Sequence, residues 1–166
     1  MKRLGNSEHP ERALSERPKH REQVLYVEDD DSNYRVAELR LSQHYELLRA
    51  SHAEEACRII QTRGLSLAAI LMDIELRGSD MDGVQLTQLI RGRRADFTVP
   101  SYARDLPMLR TPIIFVTAHN AKYTDTHLLL VGGDKVIGKP VDFGALNVAL
   151  TQLHLARRDA RAKTKR

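Results

Sequence analysis

A chain of 166 residues, 42% of them apolar and 29% charged, has the length of one domain with tails and the material for one buried core. No apolar run approaches the about twenty residues of a membrane span, and the polar N-terminus lacks a signal peptide's apolar centre, so the sequence reads as cytoplasmic. The single cysteine excludes an internal disulfide framework. Charge is unevenly spread: residues 1–22 contribute +2 and residues 155–166 contribute +5, leaving the stretch between them at −3 within a total of +4. The basic character belongs to the ends, and the body is mildly acidic.

Residues 1–22 are charged, interrupted by Pro10 and Pro18, and read as a flexible N-terminal tail. Gln23 opens a short apolar strand, QVLYV, that runs into Glu28-Asp29-Asp30-Asp31. Ser32 or Asn33 can cap a helix to about Gln43 that puts Tyr34, Ala37 and Leu41 on one face, and Asp30 and Asp31 are further capping candidates. A weaker strand covers residues 45–50, and a helix covers 52–63 with Gly64 at C′. Cys57 shares that helix's stripe with Ala53, Ala56 and Ile60, which marks it as buried filler rather than a reactive thiol.

Residues 66–73, SLAAILMD, are apolar without alternation until they stop at a carboxylate, the pattern of a strand buried on both faces of a parallel sheet. The loop IELRGSDMDG leads into a helix from Val84 to about Arg93, with Leu86, Leu89 and Ile90 inward. Residues 95–110 are irregular, broken by Pro100 and Pro107, yet carry Phe97, Val99, Tyr102, Leu106, Met108 and Leu109. Such a segment either folds back over the helices or serves as a docking element. PIIFVT is a fourth buried strand ending at Thr117, followed by a weakly amphipathic helix over about 120–130 that closes at Gly132-Gly133. A fifth strand over 135–138 stops at Lys139-Pro140, and Asp142 caps a last helix striped by Phe143, Leu146, Leu150 and Leu153. Residues 155–166 form a basic extension that prolongs this helix and then frays. Five alternations of strand and helix imply an α/β fold, a doubly wound five-stranded parallel sheet with helices on both faces.

Parallel sheets carry their chemistry just beyond the carboxyl ends of the strands. Here those ends are Glu28-Asp29, Asp73, Thr117 and Lys139. If the first strand is central and flanked by the third, these side chains converge. Packed carboxylates repel unless a cation joins them, and an all-oxygen cluster suits Mg²⁺. An ammonium and a hydroxyl opposite the acids are what a phosphoryl group needs around its oxygens. The reaction that fits is phosphoryl transfer onto a carboxylate, with Lys139 taking up charge and Thr117 donating a hydrogen bond. The seven histidines show no metal-ligand spacing. His119 either approaches this pocket or a partner, or caps a helix or faces solvent.

The motifs VLYVEDD, AAILMD, MDG, PIIFVTA and VIGKP, in this order, resemble the receiver domain of two-component response regulators over residues 23–154. The separations of 44 residues between Asp29 and Asp73 and 22 between Thr117 and Lys139 agree with that family. The resemblance implies a flavodoxin-like (βα)5 fold with strand order 2-1-3-4-5. It also implies Asp73 as phosphoacceptor, Glu28 and Asp29 as the metal-binding acid pair, and the Glu75 backbone carbonyl as a further ligand beside Asp73. Lys139 resembles the lysine that contacts the phosphoryl group, preceding a cis Pro140, and Thr117 the hydroxyl that moves towards it. Mg²⁺ is the implied cofactor, and a sensor histidine kinase or histidine phosphotransfer protein the implied donor.

Three departures from the family pattern stand out. The loop after Asp73 is two residues longer and has Arg77 where proline is usual, residues 95–110 are an insertion, and Val136 replaces the fifth strand's usual Tyr or Phe. With no effector domain expected, the sequence reads as a single-domain response regulator that signals by partner binding or phosphorelay rather than as an enzyme. Two alternatives are a pseudo-receiver adaptor that works without phosphorylation and an Asp-nucleophile phosphohydrolase of the haloacid-dehalogenase type. The latter expects a second Asp two residues on, where this chain has Glu75, which tunes water access or simply faces solvent. The basic end admits at most weak nucleic-acid or acidic-lipid contact.

Overall fold

The computed structural model describes residues 21–118 and 122–164, and arranges them as five strands alternating with five α-helices. In chain order these are β1 (Glu22–Val27), α1 (Asp31–Leu41), β2 (Tyr45–Ala50), α2 (Ala53–Arg63), β3 (Ala69–Met72), α3 (Gly83–Ile90), β4 (Ile113–Thr117), α4 (Asp125–Leu130), β5 (Lys135–Gly138) and α5 (Phe143–Thr164). All neighbours pair in parallel, in the order β2-β1-β3-β4-β5, as the sequence leads one to expect.

Each central strand is apolar throughout because it feeds two cores. Successive side chains on a strand point to opposite faces. Leu25 and Val27 of β1, Ile70 and Met72 of β3, and Ile113 and Phe115 of β4 enter the layer shared with α2, α3 and α4. Val24 and Tyr26, Ala69 and Leu71, and Ile114 and Val116 enter the opposite layer, closed by Ala37 and Leu41 of α1 and Leu146, Ala149 and Leu150 of α5. Cys57 is fully buried on α2, and burial pushes its thiol up to about 12, as suits a packing residue.

Several element boundaries differ from the sequence reading, each for a local reason. The helix after β1 is capped by Asp30, whose carboxylate accepts the Asn33 N–H at 2.9 Å; Ser32 and Asn33 lie inside the helix. Gly64 closes α2 with φ −53°, an ordinary right-handed conformation, so no left-handed turn calls for glycine there. Space calls for it instead: a Cβ would come within 2.5 Å of the Ile60 carbonyl oxygen and 2.7 Å of Leu109 Cδ1. The paired part of the strand expected over residues 66–73 is only Ala69–Met72, although the Ala68 and Asp73 N–H groups still bond to the Gln23 and Val27 carbonyls. Helix α4 begins at Asp125 behind a Thr124 cap, leaving Lys122 and Tyr123 outside it.

Helix α3 stops at Ile90 rather than near Arg93, and Gly92 turns the chain at φ +66°. Arg91, the last residue before that turn, fixes where the chain goes next. Its guanidinium donates to the carbonyls of Gly132, Leu109 and Thr111 at 2.8–2.9 Å and pairs with Asp134 at 2.8 Å. One side chain thus ties α3, the end of the insertion and the turn before β5 together.

The insertion folds back. Ala103 and Leu109 are buried, and Phe97, Val99, Tyr102 and Leu106 pack against the core layer of α2 and α3. A short 3-10 turn, Ser101–Ala103, is held to α2 by Gln61 Nε2 donating to the Tyr102 carbonyl at 3.1 Å. Of its apolar residues Met108 alone stands well out, at 70% exposure. Helix α5 continues unbroken past Leu155 to Thr164, and Arg157 donates to the Leu67 carbonyl at 2.8 Å. The proposed tail over residues 1–22 lies mostly outside the described residues, as does His119.

Candidate functional site

Parallel pairing brings the carboxyl ends of β1, β3, β4 and β5 to one edge of the sheet. Glu28 and Asp29 follow β1, Asp73 follows β3, Thr117 is the last residue of β4, and Lys139 follows β5 in a cis peptide with Pro140. Glu28, Asp29 and Asp73 each present a carboxylate oxygen within 4.8 Å of the others. Lys139 Nζ bridges two of them, at 2.7 Å from Glu28 Oε2 and 2.5 Å from Asp73 Oδ2.

Glu28 is fully buried and amply bonded. It accepts from the Tyr26 hydroxyl at 2.9 Å, the Asp30 N–H at 3.1 Å and Lys139, with Asn33 Nδ2 at 3.4 Å. Tyr26 lies two residues before Glu28, hence on the same face of the strand end, and the sequence reading gave it no part in the site. Burial above all, then the Glu28 charge and hydrogen bond, push its phenol well above the ordinary range, so it stays a donor. Asp73 is 6% exposed, and its Oδ1 accepts the Ile74 N–H at 2.7 Å. Burial pushes its carboxyl up, Lys139 pulls it down, and burial prevails. For Lys139 burial would depress the ammonium, but its bonds to Asp73 and Glu28 outweigh that and hold it above the ordinary value.

Thr117 is buried at the cluster's edge, with its hydroxyl donating to the Ala118 carbonyl at 3.0 Å rather than to Asp73. Glu75 lies two residues beyond Asp73 with an exposed side chain. Asp30 and Asp31 serve α1, as its cap and first-turn acid.

The MDG motif has a clear physical role. A Cβ on Gly83 would come within 1.9 Å of the Asp73 carbonyl oxygen, and the Gly83 N–H donates to the Ile74 carbonyl at 2.8 Å. Only glycine lets α3 start directly beneath Asp73. Asp82 caps α3 in a reciprocal box with Gln85. Its other oxygen accepts from Lys122 Nζ and the Tyr123 hydroxyl, both at 3.0 Å, which links the loop after β3 to the one after β4.

The donor set fits a hard divalent cation. It consists of oxygen ligands only, and two oxygens sharing one Mg²⁺ lie at most about 4 Å apart, so separations within 4.8 Å need little closing. The arrangement offers a buried carboxylate flanked by a lysine ammonium, an acid pair able to hold a cation, and a hydroxyl. These are the elements of phosphoryl transfer to an acyl acceptor.

Among known proteins, the chain is 30% identical over 118 residues to an uncharacterised transcriptional regulatory protein, YrkP, of Bacillus subtilis, covering 70% of this chain and 42% of the relative. It is 26% identical over 131 residues to a putative NtrX-like response regulator of Rickettsia conorii, covering 78% of this chain and 24% of that one. The chain thus spans well under two thirds of either relative. Among solved structures, the receiver domain of the sensor histidine kinase PA1611 from Pseudomonas aeruginosa, which has a magnesium ion coordinated in its active-site cleft, superposes with a TM-score of 0.62 at 27% identity, over 81% of this chain and 98% of that one. Residues 24–151, all of the sheet but its first two residues and most of its helices, match the response regulator receiver domain, and the chain belongs to that family of phosphoacceptor signalling domains.

Proposed function

We propose that Asp73 is the phosphoacceptor and that the chain takes its phosphoryl group from a histidine kinase or phosphotransfer protein in the cytoplasm, passing the signal on by partner binding or phosphorelay. The observation that carries this reading is the buried Asp73 carboxylate, bridged by Lys139 to Glu28 at the strand ends. An Asp73 oxygen attacks the donor's phosphorus, the bond from phosphorus to the donor nitrogen breaks, and an acyl phosphate forms as the histidine leaves. Lys139, already on Asp73 Oδ2, is placed to follow the negative charge onto the phosphoryl oxygens. Thr117 exchanges its bond to the Ala118 carbonyl for one to the phosphoryl group. Glu28, Asp29, Asp73 and the Glu75 carbonyl would hold Mg²⁺, which when bound screens the approach of an anionic donor to an anionic acceptor.

A phosphohydrolase reading finds less support. It needs a second acid two residues beyond the nucleophile, and Glu75 there is exposed. It also leaves the buried Glu28 without a task. The test is incubation of the full chain with acetyl phosphate and Mg²⁺ followed by intact mass. One phosphoryl group should appear on the wild type and none on Asp73→Asn. Unlabelled wild type would favour the pseudo-receiver reading, and a labelled variant would move the acceptor elsewhere.

A further inference from the structure

The acid cluster carries a second cation besides Lys139. Arg77 Nε donates to Asp29 Oδ2 at 2.7 Å, and its NH2 lies 3.7 Å from Asp30 Oδ2. The Asp29 side chain is only 12% exposed while that of Arg77 is 78% exposed, so the guanidinium comes in from solvent over a sunken carboxylate. Its position is built into the backbone. Leu76, Arg77, Gly78 and Ser79 form a tight turn closed by the Ser79 N–H on the Leu76 carbonyl at 3.1 Å, with Gly78 at φ +74°. Both flanks of the turn are anchored: Leu76 is buried, and Ser79 Oγ accepts the Ala53 N–H at 2.8 Å. Arg77 stands at the tip, aimed at the acid pair.

The two internal cations divide the acids between them. Lys139 serves Glu28 and Asp73, and Arg77 serves Asp29 and Asp30. We infer that Arg77 is a built-in competitor for the divalent cation at Asp29, so that metal binding proceeds by displacing its guanidinium. This rests on the reading of Glu28, Asp29 and Asp73 as the metal ligands. Arg77 holds one oxygen of the carboxylate that a cation would need, and a dication arriving beside an undisplaced guanidinium meets like-charge repulsion. Because Arg77 is solvent-exposed, its pair with Asp29 is weak enough to yield. Arg77 therefore sets the affinity of the site without closing it. It also gives the Arg77 side chain two positions on an anchored turn, one paired to the acids and one released by metal.

The test is calorimetric titration of the full chain with MgCl₂ at constant ionic strength, for the wild type, Arg77→Ala and Arg77→Lys. It is paired with the Arg77 side-chain Nε–H signal in ¹⁵N-correlated NMR spectra. Arg77→Ala should bind Mg²⁺ about fivefold more tightly, the gain expected from removing one exposed ion pair and one like charge, with Arg77→Lys between it and the wild type. The wild-type Nε–H signal should move towards the free-arginine position as Mg²⁺ saturates. Equal or weaker binding by Arg77→Ala, or an Nε–H signal unmoved at saturation, would overturn the competition while leaving the metal site standing. No Mg²⁺ binding by any of the three proteins would overturn the metal-site reading and the competition together.

Discussion

Replacing Asp73 by Asn should stabilise the fold while abolishing its chemistry. Asp73 presents its carboxylate within 4.8 Å of both Glu28 and Asp29. At an effective dielectric of about 20 each repulsion is worth about 3–4 kcal/mol, so the two together cost about 7 kcal/mol. The Lys139 ammonium at 2.5 Å offsets about the same amount. The charge terms cancel, and burial of the carboxylate decides the sign, in keeping with a carboxyl held above its ordinary value chiefly by burial. An isosteric amide removes that burial cost while Lys139 keeps Glu28 as its partner, so no buried charge is left unpaired and a gain of about 1–2 kcal/mol is expected. For a chain of this size the melting temperature should rise by about 3–6 °C in metal-free buffer at pH 7.

The pH dependence gives the same reasoning a second test. A carboxyl raised in the folded state is fully compatible with folding below its unfolded pKa of 3.8, and opposes folding as pH climbs through the folded value. Thermal melts should therefore converge for the two proteins near pH 3 and separate over the window above 3.8, with Mg²⁺ narrowing the gap at pH 7 by stabilising the wild type. A variant less stable than wild type at pH 7, or a gain that persists undiminished at pH 3, would refute the charge argument.

Other perturbations read other parts of the site. Gly83→Ala should lower stability by about 1–3 kcal/mol in chemical denaturation, because its Cβ must push α3 away from the Asp73 carbonyl; phosphorylation from acetyl phosphate should slow with it. Deleting residues 159–166 should remove any salt-sensitive binding to polyanions, measured by fluorescence anisotropy, while sparing Arg157 and its bond to Leu67. Beryllofluoride added with Mg²⁺ should shift amides near 29–31, 73–83 and 122–124 strongly and those over 143–155 weakly. Tyr123→Phe should reduce the response at 122–130 while leaving that at 73–83.

The sheet was legible because every strand but the second is a short apolar run ended by a polar residue of distinct type, while the strand order came from the resemblance to the receiver family. The same ends named Glu28, Asp29, Asp73, Thr117 and Lys139, which topology brings to one edge. What escaped was contact between side chains far apart in sequence. Arg91, at the end of α3, reaches the turn before β5, over 41 and 43 residues. Gly64 reads as a helix terminator, yet its smallness serves Leu109 in the insertion. Arg77 was visible only as a missing proline, since nothing local says that a turn aims it at Asp29. The insertion's apolar residues did not reveal whether they face inward. Their spacing follows no regular period, and only the core they meet settles the matter.

The path by which the site reaches the molecular surface follows from the same contacts. Val136 on β5 pairs with Phe115 of β4 and is only partly buried, and its stiff, short side chain has no ring to swing into space left by Thr117. An aromatic does stand nearby on a different element. Tyr123 bonds through its hydroxyl to Asp82, the cap of α3, and stacks on His127 of α4 at 5.2 Å between ring centroids. A change in the loop between Asp73 and Gly83 would therefore reach the Tyr123 hydroxyl through a shared carboxylate, and α4 through the Tyr123 ring. With Asp73 as the proposed phosphoacceptor, the ring that would couple it to the surface sits before α4 rather than on β5. That explains how a receiver with valine at 136 keeps a mechanical link to its fourth helix, and why its last helix, packed on the other core layer through Leu146, Ala149 and Leu150, should stay comparatively still.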